Sequence, residues 1–493
     1  MPFLLQHITE LVWAMILLIL TGTSLLITIT VLRRKRREEY FRRIDALRDR
    51  YIPLIAALLA GNLDYELGRD ALSAISGRDR IHVLELLLLQ KKPTRLQTPI
   101  LRQLCQELGL VGVWQRNLTG VKISESWGNA LARTDGMLGQ IKPLSFLLRA
   151  ASAENLGVIL HQPSWPILVK ALSDDYPDVG SVAARSLAAI GDPESFLPLW
   201  DRLCAVIIDP STRVSLRSIK MALISFPIEH AAKLLPALEH SNGRIRFQAV
   251  DIIREMAERQ AAGDETFVLD NKTFTAGMAE MFLGRLCMDA NPDVRARSAP
   301  VIACLDDPRA TPVLLTLLED AQWFVRLHAA RALARRKDLP RAKLIAHRLT
   351  DKQWMVREAA TRTLLAYGRA GLEELLDQLL STQDRYTKEQ IADAFQRAGL
   401  LPALLAQFSE NGDGIETRVL EQLVQMGKTS YMVAVLSNGS DKQLRGKFLA
   451  NFGRHADPQI RSWVAGMATH EPDLELRHKA VNMALGLPQM GGA

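Results

Sequence analysis

Cysteine and aromatic residues are scarce in this chain of 493 residues. The four cysteines, Cys105, Cys204, Cys287 and Cys304, lie far apart and form no Cys-x-x-Cys pair. Their spacing argues against a disulfide scaffold or a zinc ribbon and fits a reducing compartment. Aromatic side chains make up 6% of the residues, whereas hydrophobic ones make up 48% and charged ones 23%. This composition is typical of a folded protein with a large core, and it excludes a disordered or collagen-like chain.

Catalytic signatures are also absent from the sequence. There is no GxxxxGK[ST], GxGxxG, HExxH or GxSxG motif, so no motif supports a nucleotide-binding, zinc-peptidase or serine-hydrolase function. Among the ten histidines, His470 is the only one followed by a glutamate, Glu471. We therefore predict a protein without a catalytic residue, a cofactor site or a metal site.

One long apolar run stands near the amino terminus. Residues 11–32 are 22 residues without a charge, enough for a helix to cross a hydrocarbon layer of about 30 Å. A cleaved signal peptide needs positive charge before the run and a small-residue cleavage site after it. Only Glu10 is charged before the run. The sequence thus predicts one transmembrane helix at 11–32.

Basic residues follow this run at once, as Arg33, Arg34, Lys35, Arg36 and Arg37. Because cytoplasmic flanks are enriched in Lys and Arg, residues 1–10 are predicted outside and the chain after residue 33 in the cytoplasm. Residues 33–54 form a predicted basic juxtamembrane helix, and these five residues are predicted to lie at the lipid surface. The 44 arginines against 17 lysines favour a GC-rich bacterium. We therefore predict a single-pass protein of the bacterial inner membrane, in contact with lipid through residues 11–32 and the basic flank.

The rest of the chain is repetitive. An Asp-x-x-Pro/Trp-x-Val-Arg pattern ends at Val294-Arg295, Val325-Arg326 and Val356-Arg357, with valines 31 residues apart. Apolar or small residues recur four, five and eight positions after each valine, which is typical of a helical stripe. Each period is predicted to hold two short helices, and the Asp is placed to cap the second.

Weaker copies of the pattern extend the array in both directions. Ten anchor positions from Val179 to Leu476 are separated by 28 to 35 residues, except for one interval of 49. The long interval predicts an insertion near 258–271. Residues 174–493 are thus a predicted repeat array, and residues 55–173 are predicted degenerate helical repeats. Leu67 and Ile100 fit as anchors there, while Ile123 and Ala151 are weaker assignments.

These residues resemble HEAT repeats, in particular the short HEAT-like units of bacterial proteins. The resemblance covers residue 174 to the carboxyl end, with a degenerate extension back to about residue 55. It implies an all-α fold, a right-handed α-solenoid of HEAT-like helix pairs preceded by one transmembrane helix. In the family, the Asp and Arg of the pattern tie adjacent repeats together. The resemblance therefore implies a structural ladder of Asp289, Arg295, Asp320, Arg326, Asp351 and Arg357. Gly180 and Ser215 replace its Arg, which predicts two interruptions.

Positive charge is concentrated in residues 322–369, which hold twelve basic and three acidic residues, a net charge of +9. The segment fits either a docking surface or several solvated helix faces, and the sequence leaves both open. The predicted partner-binding residues are Arg335, Arg336, Lys337, Arg341, Lys343, Trp323 and Trp354. For the two tryptophans, which replace Pro in the turn, packing between repeats is the favoured alternative. We expect the long basic side chains to contribute little to folding.

Together these features predict a membrane-tethered cytoplasmic scaffold or adaptor. Its predicted partners are one or more membrane-associated proteins, and the membrane anchor argues against nucleic acid. Bacterial proteins of this layout resemble accessories of envelope polysaccharide synthesis or secretion, which is an analogy. The alternative is a HEAT-like repeat enzyme of the lyase or metal-dependent hydroxylase type. Deoxyhypusine hydroxylases, which the array resembles in repeat type, need several His-Glu dyads, whereas this sequence has one.

Overall fold

The computed structural model is built from helices. It describes residues 2–76, 80–89, 93–119, 146–209, 214–262, 267–269, 274, 276–337, 339–407, 415–438 and 441–486. Within these residues the one β element is an isolated bridge between Leu269 and Leu305. The chain divides into two compact units, Met1–Phe226 and Pro227–Ala493. The fold is all-α, as predicted.

The helices of the first unit are α1 (Pro2–Leu59), α2 (Tyr65–Ser73), α3 (Arg80–Leu88), α4 (Thr98–Glu107), α5 (Leu110–Thr119), α6 (Phe146–Val158), α7 (Trp165–Ala171), α8 (Pro177–Ile190), α9 (Phe196–Ile208) and α10 (Leu216–Ile224). The helices of the second unit are α11 (Leu235–Leu238), α12 (Gly243–Gln260), α13 (Ala276–Glu280), α14 (Pro292–Cys304), α15 (Ala310–Leu317), α16 (Trp323–Arg336), α17 (Ala342–Ala346), α18 (Trp354–Ala366), α19 (Arg369–Ser381), α20 (Arg385–Arg397), α21 (Leu401–Gln407), α22 (Ile415–Gln425), α23 (Ser430–Asn438), α24 (Lys442–Phe452), α25 (Pro458–His470) and α26 (Leu474–Ala484).

The first helix is continuous from the apolar run into the repeats. α1 contains 58 residues and passes through Pro53 without ending. It is long and apolar enough to cross a membrane, and none of its apolar window is buried in the protein. Its carboxyl-terminal third packs on the first unit, where Ile44, Tyr51, Ile55 and Leu58 are buried. One helix therefore spans the segments predicted as separate at 11–32 and 33–54.

The hydroxyl groups of the apolar run are bonded within α1. Thr21 donates to the carbonyl of Leu17 at 2.8 Å, and Thr28 donates to that of Ser24 at 2.8 Å. Thr23 and Thr30 make the same four-residue contact. These bonds satisfy the four threonine hydroxyls within α1 itself.

Pairs of helices follow one another along each unit, and the second helices of successive pairs pack side by side. In the second unit this layer includes α12, α14, α16 and α18, and in the first unit α6 packs on α8. The anchors Val294, Val325 and Val356 are fully buried in it. Each valine fills the contact between neighbouring second helices, which explains its 31-residue recurrence.

Two weak anchors were wrong. Leu67 is 61% exposed, because α2 buries the face that carries Leu72 instead. Ala151 is also exposed, and α6 buries Ser152, Ala153 and Leu156. Leu148 lies 31 residues before Val179 and is followed by an arginine, as the central anchors are, but it is 39% exposed and does not share their burial. Ile123 lies outside the described residues.

The turn before α14 is closed by two side chains. The carboxylate of Asp289 accepts from the N–H of Asn291 at 2.8 Å, within the turn. The cap of α14 is Asn291, whose side chain accepts from the N–H of Asp293 at 2.9 Å. The Asp of the repeat therefore orders the turn and does not cap the helix, contrary to the expectation. This leaves its carboxylate available for a second partner.

The predicted insertion follows α12, which continues to Gln260. Within the insertion, Leu269 is buried and its N–H donates to the carbonyl of Cys304 at 2.8 Å. Phe274 is buried against Phe282, with ring centroids 5.6 Å apart. Leu269 of the insertion, and Phe274 just after it, are thus packed on neighbouring residues, whereas Val268 is exposed.

Candidate functional site

The Asp and Arg residues of the repeat pattern form a chain of contacts between repeats. Arg295 of α14 donates two bonds to the carboxylate of Asp320, at 2.7 and 2.9 Å. Arg326 of α16 makes the same pair of bonds with Asp351, at 2.7 and 2.9 Å. Asp289 in turn accepts both of its bonds from Arg246, at 2.7 Å each. Each carboxylate is therefore held by the arginine of the preceding repeat.

The same arginines also hold their own repeat. The Nη1 group of Arg295 donates to the carbonyl of Asp289 at 2.7 Å, and that of Arg326 to the carbonyl of Asp320 at 2.8 Å. Arg357 donates to the carbonyl of Asp351 at 2.8 Å. The guanidinium groups of Arg295 and Arg326 thus each bond a main chain in their own repeat and a carboxylate in the next. We interpret the six predicted ladder residues as structural.

The electrostatics of the ladder favour ionised carboxylates. Burial raises the pKa of Asp320, but hydrogen bonds from Arg295 and from the N–H of Gln322 outweigh it, so its pKa lies below the usual value. Asp289 and Asp351 follow the same pattern, with Arg246 and Arg326 as their partners. The ladder is therefore charged and paired at neutral pH.

Two further ladder pairs were not identified from the sequence pattern. Arg149 of α6 donates to Asp174 twice at 2.9 Å, and both side chains are almost completely buried. Arg445 donates to Glu471 at 3.1 Å, so that Glu471 stands where other repeats have Asp. The two members of these pairs are 25 and 26 residues apart in the sequence, close to the 25 residues that separate Arg295 from Asp320. A search for Arg about 25 residues before an acid would have found them.

The two expected interruptions have a structural basis. A side chain at Gly180 would bring a Cβ to 3.1 Å from the carbonyl oxygen of Leu172 and from Val214. Gly180 thus allows close packing where other repeats carry a guanidinium group. Ser215 caps α10 instead, since its hydroxyl accepts from the N–H of Ser218 at 3.3 Å.

The predicted partner-binding residues do not form one surface. Trp323 begins α16 and Arg336 ends it. A helix of this length separates its two ends by about 20 Å. Trp354 likewise begins α18, at the turns between first and second helices. The basic residues Arg335 to Lys343 lie at the opposite ends of the helices, where each second helix leads into the next pair.

Two of these basic residues are engaged inside the protein. The guanidinium group of Arg336 donates to the carbonyls of Leu305 and Asp307, at 2.7 and 3.2 Å. Arg335 donates to the carbonyl of Phe267 and lies over its ring, with 5.9 Å to the centroid. Arg336 thus links two repeats and Arg335 holds the insertion. Their acceptors are main-chain groups of distant segments, so we now expect both side chains to contribute to folding, unlike the expectation from the sequence.

The remaining predicted residues differ in their exposure. Lys337 follows the last residue of α16 in a left-handed conformation, with φ of 49°, and is exposed. Arg341 is half-buried and Lys343 is exposed. Trp323 is half-buried, and its ring meets that of Phe324 edge to face at 5.9 Å. Trp354 is 62% exposed, so the favoured packing role does not hold for it.

A second exposed aromatic residue lies on the next second helix. Tyr386 of α20 is 70% exposed, and it follows Asp384, which caps that helix. Trp354 and Tyr386 therefore occupy the first turns of successive second helices. We call these two residues the aromatic edge. The sequence pattern did not single out Tyr386, because it lies one residue after the Pro/Trp position, where Met355 stands in the preceding repeat.

A polar cluster lies between second helices of the second unit. Asp251 of α12 is buried and pairs with Arg254 at 2.8 Å and with Arg297 of α14 at 3.4 Å. Burial, and then the nearby charges of Arg297 and Arg331, lower the pKa of His328 to about 4. His328 is thus neutral at physiological pH. The cluster ties neighbouring helices together and offers no free nucleophile.

The described residues contain no group of three or more His, Cys, Asp or Glu side chains placed to hold a metal ion. The His470-Glu471 pair is divided by the fold, since Glu471 is buried against Arg445 while His470 is exposed. The four cysteines are unpaired, and burial raises the pKa of Cys105 to about 12.

The comparison with protein families matches this architecture. Residues 280–364 match the family model described as HEAT repeats. These residues are HEAT-like. The matched residues contain the ladder pairs Arg295–Asp320 and Arg326–Asp351, so the family assignment and the observed contacts concern the same repeats. No curated protein matches the chain.

Solved structures with similar folds include two karyopherins and one enzyme. Kap95p in a structure with RanGDP is 13% identical, with 88% of this chain and 66% of that chain covered and a TM-score of 0.36. Kap121p bound to Nup53p is 12% identical, with 85% and 54% covered and a TM-score of 0.33. Human deoxyhypusine hydroxylase is 17% identical, with 68% and 97% covered and a TM-score of 0.23. These low identities and TM-scores assign neither an activity nor a partner.

Proposed function

We propose that this protein is a membrane-tethered cytoplasmic scaffold whose HEAT-like array binds one or more membrane-associated proteins. The observation that carries the proposal is the continuity of α1. Its apolar window is unburied, whereas its carboxyl-terminal third is part of the core of the first unit. A helix with one end in lipid and the other in the repeats attaches the array to the membrane without a flexible linker.

The charge on α1 supports the proposed orientation. Residues 33–37 are all basic and exposed, and of these side chains Arg34 pairs with Glu38 at 3.0 Å on the surface. Basic groups next to anionic lipid each contribute about 1 kcal/mol. We infer a single pass through the bacterial inner membrane, with the amino terminus outside. Envelope polysaccharide synthesis or secretion is the proposed setting, by analogy of layout.

The aromatic edge is the proposed partner contact. Exposed tryptophan and tyrosine side chains carry much of the binding energy at protein interfaces. Trp354 is 62% exposed and begins α18, so a partner reaches it without a change in the repeats. Lys343 and the exposed Lys337 lie at the other ends of the helices and form a separate basic region.

Co-purification of the tagged full chain in mild detergent tests this proposal. We expect defined proteins to co-purify in constant ratio and to be lost with Trp354→Ala. Leu474→Ala is the matched control, because Leu474 begins α26 as Trp354 begins α18 and is 76% exposed. A full chain that purifies alone and forms no crosslinks contradicts the scaffold. Equal loss with both variants contradicts the aromatic edge.

A further inference from the structure

A groove of about 560 Å³ lies on the first unit, between the amino-terminal half of α4 and the carboxyl-terminal halves of α6 and α8. Its walls are fixed by close contacts. A Cβ at Gly157 would meet the Cα of Ser186 at 2.8 Å, so α6 and α8 touch through their backbones. Leu160 leaves α6 with φ of 51°, and Arg102 of α4 donates to the carbonyl of Ile159 at 2.8 Å. The groove is thus a fixed feature of the helix packing.

The lining combines an apolar floor with arginines on two sides. Val158, Leu160, Val182 and Ala189 contribute apolar surface. Arg95 and Arg102 lie on the α4 side, whereas Arg185 lies on the α8 side. Such a floor takes up apolar side chains, and separated guanidinium groups bind separate anions.

The arginines of the groove have unused donors. Arg95 and Arg185 are exposed and make no hydrogen bond or ion pair with any residue that the structure describes. Arg102 uses its Nε atom on Ile159, and its two terminal nitrogens have no partner among the same residues. Glu154 is the one acid of the lining, which leaves a net charge of +2. The groove is therefore complementary to an anionic ligand.

We propose that this groove binds an extended acidic segment of a partner protein, in which carboxylate side chains flank apolar ones. Arginines on two sides fit several carboxylates along a peptide, whereas a lipid presents one anionic head. The volume lies in the range of ordinary ligand sites, about 300–1,000 Å³, and holds a few side chains. This inference rests on the proposed scaffold function and names the chemistry of one partner segment.

The test uses the full chain in nanodiscs of zwitterionic lipid and two pools of fluorescent peptides with identical apolar positions. One pool carries Asp and Glu between them, and the other carries Lys and Arg. We expect the acidic pool to bind about tenfold more tightly, by anisotropy, and this preference to weaken with salt. The double variant R95Q/R185Q is expected to lose about tenfold in affinity and most of the salt dependence.

Ala189 provides a matched pair of variants at one exposed position of the groove. Ala189→Glu places a negative charge in the groove and is expected to weaken binding of the acidic pool about tenfold. Ala189→Lys adds a side chain of similar length and is expected to preserve or strengthen binding. A loss of the same size in both variants, or in neither, overturns the proposal.

Two further outcomes distinguish a peptide groove from a lipid site and from a failure of the scaffold. If Ala189→Glu lowers binding to phosphatidylglycerol vesicles but not to the acidic pool, the groove is a lipid site and the peptide proposal is overturned. If both peptide pools bind equally while the full chain still co-purifies with its partners, the groove fails and the scaffold stands. A chain that purifies without partners and still prefers the acidic pool supports the groove and contradicts the scaffold.

Discussion

The repeats of residues 280–364 and the helices around α6 and α8 make the same contact between repeats with different sequence patterns. In the first region, Asp-x-x-Pro/Trp-x-Val-Arg recurs every 31 residues, and each Arg–Asp pair remains partly exposed. Around α6 the pattern is degraded, yet Arg149 and Asp174 form the same pair with side chains 1% and 2% exposed. The Arg–Asp contact between repeats is therefore retained in a region where the sequence motif is degraded.

The two regions also differ in how their charges are distributed. In the central repeats the ladder continues from Arg246 to Asp351 through successive pairs. In the first unit the pair Arg149–Asp174 is followed by Gly180. The close packing there leaves no room for an arginine side chain. The central ladder distributes its charges over several repeats, whereas the first unit concentrates a buried ion pair at one contact.

The largest expected effect separates a correct anchor from a wrong one. Val325→Asp places a carboxylate in the fully buried contact between second helices and is expected to cost about 4 kcal/mol or more. Leu67→Asp occupies the equivalent predicted position, but this residue is 61% exposed, and the change is expected to stay within about 0.5 kcal/mol. Hydrogen exchange of the helices around each site measures both. Similar losses of stability at the two positions would contradict the exposure of Leu67 on α2.

The next prediction contrasts the two ladder regions. Arg149→Ala removes both guanidinium bonds from the buried carboxylate of Asp174, which is expected to cost about 3–5 kcal/mol. Arg295→Ala removes a partly exposed pair and is expected to cost less, about 1–3 kcal/mol. Hydrogen exchange in α8 measures the loss of stability caused by Arg149→Ala, and hydrogen exchange in α16 measures that caused by Arg295→Ala, both in the full chain. The double variant Arg149→Ala/Asp174→Leu should recover much of the loss, and a failure to recover shows that packing, not charge, dominates.

A smaller effect is expected at the end of α16. Arg336→Ala removes the donors to Leu305 and Asp307 and is expected to cost about 1–3 kcal/mol. The control is Lys343→Ala in α17, where the side chain is exposed. This change is expected to alter the free energy of unfolding by less than about 0.5 kcal/mol. The thermal unfolding of the second unit measures the difference. Equal melting of the two variants contradicts a structural role for Arg336.

The smallest expected effect concerns pH. The carboxylates of the central ladder have lowered pKa values in the folded state, because arginine and N–H donors outweigh burial. Their contribution to stability is complete above the ordinary Asp pKa of about 4 and is lost as pH falls through the lower folded values. Asp320→Asn should therefore flatten the acid limb of the stability profile of residues 280–364. An unchanged acid limb shows that other groups control it.

Much of the fold was predictable from the sequence because burial in a repeat array is periodic. Val294, Val325 and Val356 recur every 31 residues because each is buried between neighbouring second helices. Leu148 and Arg149 stand at the same 31-residue spacing before Val179, and Arg149 forms a ladder pair, although Leu148 is 39% exposed. The exposed face of α2 was not predictable in this way, since its apolar residues fit two different faces.

The surfaces were less predictable than the fold. Nothing in the identity of Arg336 indicates that its acceptors are carbonyls about 30 residues earlier, because every residue has a carbonyl. Trp323 and Trp354 occupy equivalent positions, but one is half-buried beside Phe324 and the other is exposed. The groove around Arg185 and Ala189 depends on Gly157 and on the turn at Leu160, so it follows from three-dimensional packing and has no linear motif.

Extraction of membranes with alkaline carbonate tests the central claim, that a HEAT-like array is attached to the membrane by the helix that begins it. The full chain and a chain of residues 33–493 are expressed in bacterial cells and compared. We expect the full chain to stay in the membrane pellet and the shorter chain to be released. Release of the full chain, or retention of the shorter chain in the pellet, would contradict the claim.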